Sequence, residues 1–152
     1  MRRAQTAGRT VGITGPSHAV ICHLIDTVYE HARRRGAGPP RIGQRADRDH
    51  PYLHADATRM HHDTLERALR DGELDVAAGT SWLWARGPFA DSVDTLFVDE
   101  AGQMSLAGVL AVAGAARNLV LLGDPRWSST RWRPLRPTKR PVGWTSSTTC
   151  TA

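Results

Sequence analysis

Two adjacent carboxylates, Asp99 and Glu100, directly follow the β-prone run Thr95-Leu96-Phe97-Val98. Such a pair can divide the work of phosphate hydrolysis. The first acid holds Mg²⁺ through its water shell, and the second orients and deprotonates the attacking water. The chemistry needs them at the end of a strand, because the metal must meet the phosphate at a fixed point. An isolated Asp-Glu pair is more often a solvated strand cap, so the surroundings decide. Two further polar clusters also follow β-type runs: Thr14-Gly15-Pro16-Ser17-His18 after residues 10 to 14, and Gly123-Asp124-Pro125 after 118 to 122.

These clusters require a scaffold that brings strand ends together. Residues 10 to 14 predict a strand ended by Gly15-Pro16, with Ser17 at the N-cap of a helix over 17 to 35. Val20, Ile21, Leu24, Ile25 and Val28 recur at helical spacing on one face, with His23, Asp26, Glu30 and Arg34 on the other. Arg33-Arg34-Arg35 complements the helix dipole and Gly36 supplies a left-handed stop. Arg41-Ile42-Gly43 predicts a very short strand, and 44 to 58 a polar loop. Asp63-Thr64-Leu65-Glu66 has capping-box character before Leu65, Ala68 and Leu69, with Gly72 closing a brief helix. Residues 74 to 80 predict a strand, and 95 to 98 an interior strand covered on both faces. Ser105 caps a helix with Leu106, Val109, Leu110 and Ala113 as its expected buried stripe, and 118 to 122 returns as a strand. Alternating strand and helix implies an α/β fold, a mostly parallel sheet with ligands at the carboxyl ends of its strands.

At 152 residues the chain fits one domain. Its net charge of +5 is uneven: residues 126 to 152 hold six of the 20 basic residues (Arg126, Arg131, Arg133, Arg136, Lys139, Arg140) and no acid. That leaves 14 basic against 15 acidic residues, a net of −1, in 1 to 125. The last 27 residues have little to bury and are expected to form a low-order basic tail. Two cysteines, Cys22 and Cys150, give neither a disulfide framework nor a zinc spacing, which predicts a reducing cytoplasm. Arg2-Arg3 lacks the apolar segment of an export signal, and the uncharged stretches 10 to 25 and 101 to 116 are interrupted and short for a bilayer, so no membrane is expected. Trp82 and Trp84 are expected in the core rather than stacked on bases. His61-His62-Asp63 suggests a metal, but neighbours on a helix point about 100° apart, which favours a solvated face.

The four β residues with two acids match the Walker B arrangement of nucleotide hydrolases. Phe97-Val98-Asp99-Glu100-Ala101-Gly102-Gln103, followed about twenty residues later by Leu121-Leu122-Gly123-Asp124-Pro125, resembles motifs II and III of superfamily 1 helicases, Asp-Glu-Ala-x-Gln and Gly-Asp-Pro. Thr14-Gly15-Pro16-Ser17-His18 looks like motif Ia, and Gly79-Thr80 occupies the place of the next nucleic-acid loop. The resemblance covers residues 10 to 125 and is nearest to the Upf-like and Dna-two-like helicases, notably the helicase half of bacterial RecB-like nuclease and helicase fusions. It implies a RecA-like P-loop NTPase domain that uses ATP and Mg²⁺. Asp99 would be the Mg²⁺ carboxylate, Glu100 the general base and Gln103 a polar link between nucleotide and strand. Gly123 and Asp124 would lie near the nucleotide, and Ser17, His18 and Thr80 would contact the backbone of single-stranded DNA or RNA.

The pattern is incomplete. The 152 residues contain no Gly-x-x-x-x-Gly-Lys-[Ser/Thr] loop; the only lysine is Lys139, and no second motor domain with an arginine finger is present. After Pro125 the family continues with Gln-Gln-Leu or a close variant, whereas this chain has Arg126-Trp127-Ser128. The expectation is a partial motor domain over 1 to 125, from motif Ia to motif III, and a frameshifted tail over 126 to 152. The intact protein would supply the missing motor half or a fused nuclease. In the family fold the phosphate-loop strand lies beside the motif III strand, so residues 118 to 122 are expected to be an open edge. Two rivals stand beside this: a non-catalytic module holding nucleic acid through the basic tail, and a metal-dependent phosphatase or nuclease using Asp99, Glu100 and Asp124.

Overall fold

The computed structural model, which describes residues 9 to 46 and 53 to 123, carries the strand and helix alternation into one sheet. Its strands are β1 (Val11–Thr14), β2 (Ile42–Arg45), β3 (Thr58–Met60), β4 (Val76–Ala78), β5 (Val93–Val98) and β6 (Ala116–Leu121). They lie in the order β3-β2-β4-β1-β5-β6, and every neighbouring pair is parallel. The helices are α1 (His18–Arg34), α2 (His62–Arg70), α3 (Ser81–Trp84) and α4 (Leu106–Ala113).

Because successive strand residues face opposite sides, a sheet with helices on both faces makes two cores. Ile13, Ile42, Val76 and Ala78 pack with Ile21, Ile25 and Tyr29 of α1. Ala77, Leu96 and Val98 pack with Leu65 and Leu69 of α2, Leu83 and Trp84 of α3, and Val112 of α4. The β1 to β2 connection runs over the α1 face, and the connections that move toward β6 run over the other. A single crossover hand imposes this arrangement.

The α1 prediction is met in detail. Ser17 Oγ accepts from Val20 N at 3.3 Å, and beyond Arg35 the chain turns through left-handed Gly36 (φ +63°) while Ala37 N donates to Ala32 O at 3.0 Å. The interior position of β5 is also met, between β1 and β6, although Thr95 and Phe97 remain half-buried.

Other expectations need correction. The expected capping box at Asp63 does not form. His61 is the N-cap of α2, its carbonyl already accepting from Leu65 N at 2.9 Å, so Asp63 falls inside the first turn, where its charge favours the helix dipole. The expected loop over 44 to 58 is shorter: β2 runs to Arg45, and Thr58 begins β3, an edge strand whose exposed Thr58 and Arg59 give no apolar alternation to detect. In α4 only Val109 and Val112 are buried, whereas Leu106 and Leu110 are 61% and 65% exposed. The helix packs beside β6 at the end of the sheet, and among the described residues no further strand lies beneath its outer flank. Among the described residues β6 is the open edge expected of residues 118 to 122, with Leu121 and Leu122 exposed rather than interior. The expected tail, 126 to 152, lies outside the described residues. Among the described residues no helix is long and apolar enough to cross a membrane.

Trp84 joins the layers. Its indole Nε1 donates to Ile13 O at 3.1 Å and Gly79 O at 3.2 Å, tying α3 to the carboxyl ends of β1 and β4, and its ring meets Phe89 edge-on at 5.8 Å. Gly12 makes this possible: a Cβ there would lie 2.9 Å from Trp84 Cη2 and 2.8 Å from Leu96 Cδ1.

Candidate functional site

The loop after β1 leads into α1 on one face, and the loop after β5 leads toward α4 on the other. Adjacent strands whose loops part in this way leave a crevice at their carboxyl ends, where parallel sheets bind ligands. Main-chain bonds tie the carboxyl ends of β1, β5 and β6 together around it. Asp99 N donates to Thr14 O at 2.9 Å, Leu122 N to Val98 O at 2.9 Å, and Ala101 N to Leu122 O at 2.9 Å. The ends of these three strands, with Asp99 to Ala101 and Leu122, are thereby held as one unit.

The acid pair is built by an unusual turn. Asp99 Oδ1 accepts from Glu100 N at 2.9 Å, and Glu100 itself is left-handed, φ 51° and ψ 39°. A non-glycine residue held there costs on the order of 1 to 3 kcal/mol, and such strain clusters at functional sites. Gln103 follows in a short 3₁₀ turn over Ala101–Gln103, and its Nε2 donates to Glu100 Oε2 at 3.2 Å. Asp99 and Glu100 are half-buried and Gln103 is exposed. Gly123 has φ +138°, a conformation that calls for glycine, and its Cα packs on the Glu100–Ala101 backbone, where a Cβ would lie 3.4 Å from Ala101 N and 3.5 Å from Glu100 Cα. Asp124 lies outside the described residues; Gly123, its neighbour in sequence, is packed on the Glu100–Ala101 backbone. Thr14, fully buried beside this junction, has an Oγ1 with no hydrogen-bond partner.

Carboxylate, amide and hydroxyl oxygens form a hard donor set that fits Mg²⁺. The polyphosphate side is not matched, because the sequence contains no glycine-rich loop ending in Lys-Ser or Lys-Thr.

A second feature lies at the ends of β2 and β4, a cleft of about 270 Å³ lined by His18, Arg45, Thr80, Trp82, Leu83 and Arg86. It unites two of the three expected nucleic-acid contacts, His18 and Thr80. Ser17, the third, is exposed and serves as the α1 cap, and Thr80 is the N-cap residue of α3 without a side-chain cap bond. The expectation that both tryptophans lie in the core is half wrong: Trp84 is 1% exposed, but Trp82 is 84% exposed. Residues two apart on a helix point about 200° apart, so burying Trp84 turns Trp82 outward. Arg45 and Arg86 were not singled out from sequence. Arg45 ends β2 and Arg86 lies between α3 and the 3₁₀ turn Gly87–Phe89, and neither position carries a motif.

The positive field of the cleft reaches α2. His62 is held below its ordinary pKa first by burial and then by the charge of Arg86, with Asp63 acting in the opposite sense. The donor atoms of His61, His62 and Asp63 lie within 4.8 Å of one another, closer than the 100° argument allowed, because His61 precedes the helix. Three donors at the positive end of a helix, in the field of two arginines, make a poor cation site. A larger cleft, about 590 Å³, is lined by Tyr29, Arg33, Pro39, Pro40, Arg41 and Asp56. It sits beside the C-terminal end of α1, away from the strand carboxyl ends, and its Arg41 is already paired with Asp75 at 2.7 Å. No protein-family model matches the sequence, and no curated protein matches it.

Proposed function

We propose that this chain is part of an ATP-dependent DNA or RNA helicase, a RecA-like motor domain carrying the hydrolytic carboxylates and a nucleic-acid face without the phosphate grip. The observation that carries this reading is the junction at the end of β5, where Glu100 and Ala101, next to Asp99, meet the backbone of Gly123 beside β6, the edge strand among the described residues. Motifs II and III of the resembling family are expected to converge in this way, with the phosphate-loop strand beyond the motif III strand. Asp99 would hold Mg²⁺, which when bound neutralises developing phosphate charge, and Glu100 would take the proton of the attacking water. Gln103, hydrogen-bonded to Glu100, would report the state of that group to the loop before α4. His18 and Thr80 would face single-stranded nucleic acid, with the remaining motor half or a fused nuclease supplied by the intact protein.

The chain alone is expected to show no ATP turnover in a phosphate-release assay; a Glu100-dependent rate would contradict the partial-motor reading. Deleting 126 to 152 tests the rival in which the basic tail is the binding element. The motor reading expects oligonucleotide binding to survive with a shallower salt dependence, since up to about six cationic contacts are removed. Complete loss of binding supports the tail module instead.

A further inference from the structure

We infer that Trp82, flanked by Arg45 and Arg86, is a stacking seat for one unpaired base, so that the cleft selects single strands over duplex. The inference rests on the nucleic-acid reading of the cleft and adds a specificity-determining residue to it. The cause lies in α3. Leu83 and Trp84 are buried, and Trp84 is fastened by two hydrogen bonds to β1 and β4, which makes the four-residue helix a rigid mount. Trp82 is thereby held out, 84% exposed, although burying an indole is ordinarily among the most favourable packing events.

The surroundings define what the ring can meet. Among the described residues, two arginines and a histidine line the cleft and no carboxylate does, a charge pattern complementary to a phosphodiester. An indole face beside guanidinium groups accepts a flat base, whatever its identity, while the cations take the adjacent phosphate. A base inside a duplex has both faces covered by its neighbours and cannot use such a seat without unstacking. Phosphate contacts alone would not distinguish strand from duplex; an exposed ring does.

The test uses the full chain and fluorescence anisotropy, with labelled thymidine and uridine oligomers and a blunt duplex of equal length. Trp82→Ala should weaken single-strand binding by about 5- to 150-fold while duplex binding changes little. Trp82→Phe should restore most of the loss. Arg86→Ala should weaken both substrates and reduce the salt slope by about one contact. If Trp82→Ala leaves single-strand affinity intact while Arg86→Ala lowers it, the seat is refuted and the nucleic-acid reading stands. If the unaltered chain binds no oligonucleotide, both fail.

Discussion

Replacing Trp84 by alanine should lower the melting temperature by 10 °C or more (roughly 2–5 °C per kcal/mol for a domain of this size) or leave the chain unfolded at 25 °C. Removing a buried tryptophan costs about 3 to 5 kcal/mol, against a total stability of about 5 to 15 kcal/mol for an ordinary domain. Here the ring also fills the space left by Gly12 and donates to Ile13 O and Gly79 O, and two buried carbonyls would lose a partner. Trp84→Phe keeps part of the volume and none of the hydrogen bonds, so an intermediate loss is expected. Circular dichroism melts of both variants measure this. A melting temperature within about 3 °C of the parent for Trp84→Ala would contradict the role assigned to that ring.

The second large effect is on rate. When a strand, phosphate loop and helix from a superfamily 1 motor are fused so as to pair with β6, ATP turnover should appear. Glu100→Gln should then reduce kcat by about 10² to 10⁴, the usual worth of a positioned general base. The amide keeps the shape of the side chain and its contact with Gln103 while removing basicity, so KM for ATP should move only a few-fold. Turnover that is unchanged by Glu100→Gln would assign the base elsewhere.

Much of the scaffold was legible because parallel strands and their helices announce themselves in apolar runs and caps. The Ser17 cap, the apolar face of α1 and the interior position of β5 all follow from local chemistry. The edge elements were less legible. Thr58 and Arg59 carry no strand pattern, and Leu106 and Leu110 look core-facing until the position of α4 at the end of the sheet is known. In the site, the neighbouring acids were visible, but the left-handed turn at Glu100 was not, since nothing in Asp-Glu-Ala demands a positive φ. Arg45, Trp82 and Arg86 are distant in sequence or unmarked by motif, and only the packing of α3 against β1 and β4 gathers them.

The decisive measurement concerns the acid pair itself. In an amide proton–nitrogen spectrum of the labelled chain, titration with Mn²⁺-ATP at millimolar concentration, Mn²⁺ standing in for Mg²⁺, should broaden Gly15, Glu100, Ala101 and Gly123 first. Asp99→Ala should abolish that pattern. If those signals stay sharp while His61 to Asp63 broaden, or if Asp99→Ala changes nothing, the carboxylates at the end of β5 are not the metal–nucleotide site and the motor assignment fails.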